Sequence, residues 1–184
     1  MKTKLLMDPE ITSRCEKIEK SIINLDKLFP QRLTSLPVTD FFDESFQNTV
    51  AFCEMIRLNL SPNSPLIQIK VVENCVKERL IFDMDNLCVD WHKMRLDSSL
   101  NSNFWEYSAR VFLYALDSTL VAYWSVGNPT IIFCIKDILE SSSAKERSYS
   151  VEEVANNMGE YFVSADEFEL SNLEKTFREN YLQS

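Results

Sequence analysis

"YSARVFLYALDSTLVAYWSVGNP", residues 107–129, is the stretch whose reading decides the fold. It is the longest apolar stretch in the chain and runs into Gly127, one of only two glycines. Arg110 and Asp117 interrupt it. Tyr107 to Val126 is 20 residues, long enough to span a bilayer. The charges argue against that use. At the centre of a membrane helix Arg and Asp each cost about 2.5–3.5 kcal/mol, while the apolar neighbours together return at most about 4 kcal/mol. A water-soluble reading follows, with a helix from about 104 to 126 that is apolar on nearly every side and so surrounded by others. Gly127 then takes the left-handed position past the helix end, Asn128 caps and Pro129 starts the next helix. In that reading "VGNP" is a helix–helix corner.

The rest of the composition points the same way. A chain of 184 residues, 45% hydrophobic and 26% charged, fits one globular domain over 1–184. At average usage of ~7% it would carry about thirteen glycines. With so few, tight hairpins, bulges and phosphate loops are disfavoured, and long helices are expected. The five cysteines, Cys15, Cys53, Cys75, Cys88 and Cys134, are odd in number, widely spaced and set among apolar neighbours. They read as buried thiols in a reducing compartment, not as a disulfide framework. The N-terminal run Leu5–Leu6–Met7 is too short for a signal peptide, so a cytoplasmic location is expected.

Periodicity extends the helical reading along the chain. Pro9 opens a first helix after Asp8, with a stripe of Ile11, Cys15, Ile18, Ile22, Leu25 and Phe29, and Pro30 ends it. A second helix starts near Thr39 or Asp40 and stops before Pro62. A third spans about 65–96 on Leu80, Met84, Leu87, Trp91 and Met94, although its opening "LIQIKVV" is β-branched. "PTIIFCIKDILESSS" is a fifth helix. Capping boxes at Ser150/Glu153 and Ser164/Glu167 start a short helix (about 151–161) and a terminal one (about 165–182). Phe168, Leu170, Leu173, Phe177 and Tyr181 give the last one its apolar face. The expected fold is all-α, a single-domain bundle of about seven helices around the central apolar helix.

Catalytic motifs are missing. Two isolated glycines cannot form a phosphate cradle. The one histidine, His92, excludes zinc sites that need two. Cys88 and His92 stand one turn apart, which on a shared helix is ordinary packing. Asp83, Asp85 and Asp90 read as a solvated face or a helix break. Arg110 and Asp117 read as structural buried polar groups that find partners and fix helix register; they could instead line a pocket with Trp124. No catalytic residue, metal or cofactor is expected.

Charge is the most informative feature. The net charge is −9, and residues 140–184 carry 10 acidic and 4 basic side chains. Such a surface repels nucleic acid and attracts a basic protein. Glu152, Glu153, Glu160, Asp166, Glu167 and Glu169 are the expected partner-binding carboxylates, with Tyr161 as an aromatic anchor among them.

"RVFLYALDSTLVAYWSVGNP", with Asp117 after Ala115–Leu116, resembles the central helix of the YjaG-like all-helical bacterial proteins. "LDKLFP" and "ADEFELSNLEKTFRENYLQ" resemble that family's first and last helices. Some helical immunity proteins of polymorphic and contact-dependent toxin systems look similar to it. The resemblance implies a helical immunity protein that binds and neutralises a cognate toxin, such as a basic nuclease, by steric and electrostatic blocking without turnover. Two other readings stand beside it: an acidic chaperone or adaptor for a secreted effector, and a small-ligand-binding helical protein. Whether the chain is a monomer or a homodimer is open.

Overall fold

The computed structural model describes residues 9–23, 28–33, 36, 38–43, 50–61, 64–73, 75–82, 86–96, 110–125, 130–135, 147–162 and 165–182. In chain order these form α1 (Pro9–Ile22), β1 (Val38–Asp43), α2 (Val50–Asn59), β2 (Leu66–Val72), β3 (Cys75–Phe82), α3 (Leu87–Leu96), β4 (Arg110–Ala115), β5 (Leu120–Ser125), β6 (Thr130–Ile135), β7 (Ser148–Tyr149), α4 (Val151–Asn156), α5 (Met158–Tyr161) and α6 (Glu167–Tyr181). The strands make one seven-stranded sheet, in the order β3-β2-β4-β5-β6-β1-β7, with every pairing antiparallel. The all-α expectation is therefore wrong. The fold mixes helices with a large antiparallel sheet.

The central apolar stretch is a hairpin, not a helix. β4 and β5 are buried at every position and pair Arg110 with Ser125 through to Tyr114 with Val121. Helices cover the sheet on both sides, so a strand at its centre has no polar face. Such a strand reads as an unbroken apolar run, as does a helix buried all round. Leu116–Thr119 forms the turn, with Ser118 N–H donating to the Ala115 carbonyl at 3.0 Å.

The chain makes tight turns without glycine. Ser118 (φ 61°) and Glu73 (φ 51°) occupy the left-handed region themselves. These turns accept roughly 1 kcal/mol of strain each in place of glycine.

The other expected helices change in the same way. Thr39 and Asp40 lie in β1, where Phe41 and Phe42 bury on opposite faces at period two. The "LIQIKVV" stretch is β2. Leu80 belongs to β3, whereas Leu87 and Trp91 belong to α3, so the stripe along 65–96 joined two elements. Thr130–Ile135 is β6. The expected short helix at about 151–161 is split at Asn157 into α4 and α5, the terminal helix starts at Glu167 under an Asp166 cap, and α1 begins at Pro9 but ends at Ile22, short of Phe29. Asp83, Asp85, Ser164, the Val126–Pro129 corner and residues 104–109 of the expected central helix lie outside the described residues.

The antiparallel pairings make β1 run in the same direction as β2, and β3 in the same direction as β4. Connections between such strands must cross a face of the sheet. α2 and α3 lie in those connections and cover one face. Phe52, Met55, Ile56 and Trp91 pack there against Phe42, Leu66, Leu113, Ala122 and Trp124. The other face carries α1, α4, α5 and α6, with Ile18, Val154, Met158, Phe177 and Tyr181 against Phe41, Ile69, Phe112, Tyr123 and Ile132. Arg79 on β3 ties α1 down, donating from Nε and Nη2 to Glu19 at 2.7 and 2.6 Å. The Tyr114 hydroxyl donates to the same carboxylate at 2.9 Å. Burial, then hydrogen bonding with Cys15, raises the Tyr114 phenol far above its ordinary value, so it stays a donor. No described helix is long and apolar enough to cross a membrane.

Candidate functional site

The acidic C-terminal quarter is built from three short elements. Ser150 caps α4 through a reciprocal box: its hydroxyl accepts from Glu153 N–H (3.2 Å), and its own N–H donates to Glu153 Oε2 (2.7 Å). The Ser150 backbone and hydroxyl bonds to that carboxylate lower its pKa. Asn157 separates α4 from α5. Asp166 caps α6 by accepting from Glu169 N–H at 2.8 Å.

Two contacts set the geometry. Asn156 Oδ1 accepts from Arg178 Nη2 at 3.3 Å. Gly159 faces Leu170, whose Cδ1 lies 4.0 Å from where a β-carbon would stand. The α4–α5 pair therefore runs antiparallel to α6. That arrangement divides the expected carboxylates. Glu160 comes beside the start of α6, with Asp166, Glu167 and Glu169, while Glu152 and Glu153 lie at the opposite end of α4–α5, on the order of 12 Å away. All six are exposed. The two cations of α6 are committed elsewhere: Arg178 pairs with Glu174 at 2.8 Å and Lys175 with Glu179 at 4.0 Å. The negative charge at the start of α6 is left without cations from its own helix.

The exposed aromatic here is Phe168, not Tyr161. Phe168 is 77% exposed and stands between Glu167 and Glu169. Tyr161 is half-buried and packs edge-on against Tyr149, ring centroids 6.1 Å apart. The expectation that put Phe168 on the apolar face of the last helix is therefore wrong, although the spacing held the signal. Leu170, Leu173, Phe177 and Tyr181 step by 3, 4 and 4, and Phe168, two residues before Leu170, falls on the far side of that stripe.

The residues of the pocket reading are dispersed. Arg110 is buried and shares the α1/α6 face with Phe112 and Tyr114. Trp124 points to the other face, against Trp91. Asp117 sits in the β4–β5 turn, about 20 Å along the strand from Arg110. There its Oδ1 accepts from Thr119 N–H (3.2 Å) and Oγ1 (2.7 Å), and its own N–H donates to Ser64 Oγ (3.1 Å). Asp117 is thus a turn-fixing residue. The side chain of His92 lies outside the described ones. Among the cysteines, Cys15, Cys53 and Cys134 are buried, Cys88 is half-buried and Cys75 is exposed, contrary to the expectation of five buried thiols. Among the described residues no group of three His, Cys, Asp or Glu is placed to hold a metal.

Compared with protein-family models, curated proteins and solved structures, the chain matches none of them.

Proposed function

We propose that the chain is a protein-binding module that captures a basic polypeptide at the start of α6, acting as a cytoplasmic immunity protein against a cognate toxin. The observation that carries this is the exposed Phe168 ring set between Glu167 and Glu169, in the first turn of a helix that Asp166 caps. An aromatic that leaves water on binding supplies affinity, and the surrounding carboxylates supply orientation and a fast encounter. The chain works by occupying its partner's basic surface, without turnover. The central part of the helical resemblance adds no support, because its residues 110–125 form the β4–β5 hairpin.

The test is co-expression with a toxin domain whose lethality the wild-type chain relieves, followed by association kinetics with the purified domain. Combined Glu160→Lys, Glu167→Lys and Glu169→Lys should lower the association rate at least tenfold at low salt, a difference that shrinks as salt rises. Phe168→Ala should instead speed dissociation and abolish relief of growth. Glu152→Lys, at the other end of α4–α5, should change either quantity little. If the triple variant associates as fast as wild type, this surface is not where the partner docks.

A further inference from the structure

We propose that Cys53 and Cys88 are a redox-modification site, forming a reversible disulfide that locks α2 to α3. Cys53 on α2 is 5% exposed within the apolar cluster on this face, and Cys88 on α3 is half-buried and packs against the same cluster. The two helices are held together at this level by the rings of Phe52 and Trp91, centroids 5.0 Å apart. Phe52 immediately precedes Cys53, and Trp91 follows Cys88 by three residues, just under one helical turn. The other thiols are separated from this pair. Cys15 and Cys134 belong to the opposite face of the sheet, and Cys134 shares a 3.7 Å hydrogen bond with Thr39. Cys75 is exposed on the edge strand β3.

The two thiols have different tasks. Burial pushes Cys53 up to about 12, helped by the charge and hydrogen bonding of the adjacent Cys88 thiol. Cys53 therefore stays protonated and out of reach of solvent, and Cys88 is the sulfur an oxidant meets first. With a small disulfide such as glutathione disulfide as the oxidant, the Cys88 thiolate attacks one sulfur and expels one glutathione thiolate. Cys53 then gives up its proton and attacks the Cys88 sulfur of the mixed disulfide, expelling the second. The protons from the two cysteines end on the two glutathione thiols. The protein loses two electrons and the oxidant gains them. Excess thiol reverses both steps.

The full-length chain carrying Cys75→Ser, treated with glutathione disulfide and mapped without reduction, should yield one peptide pair joining Cys53 to Cys88. The oxidised protein should be two hydrogens lighter than the reduced one and return to the reduced mass with dithiothreitol. Adding Cys88→Ser, with the circular dichroism spectrum checked for folding, should leave Cys53 unmodified. Three results would overturn the proposal: a glutathione adduct that stays on Cys88, a link between another pair, or no reaction in the folded chain. The first is what helices unable to bring the two α-carbons within about 4.4–6.8 Å would give.

Discussion

Asp117 shows how a single residue can look like a site and work as a clasp. Partial burial opposes its charge, but hydrogen bonds from Ser61, Thr119 and Ser64 outweigh that and hold its pKa below the ordinary 3.8. The folded-state value is lower than the unfolded one. The resulting stabilisation is complete above pH 3.8 and is lost as pH falls through the folded value. Asp117→Asn should therefore cost about 1–2 kcal/mol near neutral pH, measured by urea unfolding. Its deficit should close below pH 3.8; a deficit that persists there would mean the charge is not what matters. Phe168 carries the matching lesson for the surface. Its place off the apolar stripe was visible in the spacing, while its exposure became a fact only once α6 had docked.

At the scale of elements, α6 is the best anchored of the C-terminal helices. Phe177 meets Phe29, Phe41 and Tyr181 with ring centroids 5.1, 4.9 and 5.2 Å apart. The Tyr181 hydroxyl donates to the Pro30 carbonyl at 2.6 Å, and Asn180 Nδ2 donates to the carbonyl of Phe29. The helix thus joins the sheet to the segment that follows α1. Phe177→Ala should cost about 3–5 kcal/mol, read as a lower denaturation midpoint. A loss below about 1 kcal/mol would show that α6 is held by its polar contacts instead. The helices that start at Pro9 and Val151 were readable because their start signals are local: a proline at the first turn, or a serine that accepts a backbone N–H. The terminal helix was expected from a Ser164/Glu167 box, but Asp166 caps it. The strands carried weaker signals: the β-branched run of β2 was read as part of a helix, and the glycine between β5 and β6 as a helix–helix corner. The β2–β3 and β4–β5 turns use Glu73 and Ser118 at positive φ, where glycine would have announced them.

For the whole molecule, one sheet serves two apolar layers, so neither layer can come away without exposing the strands they share. Trp91→Ala in the α2/α3 layer should then lower the same single transition as Phe177→Ala in the other layer. Tryptophan fluorescence and far-ultraviolet circular dichroism should coincide, and the two losses should add to within about 0.5 kcal/mol. Separate transitions would divide the molecule into two folding units. The sequence by itself determined the uneven negative charge and the helical character of the C-terminal quarter. Those follow from composition and from signals spanning a few residues. Only the tertiary structure decided between strand and helix for the central stretch, because a segment buried on all sides has no polar face and so no period to read. It also decided which carboxylates share one end of a helix pair and which thiols share a face of the sheet, because both depend on contacts between residues far apart in the chain.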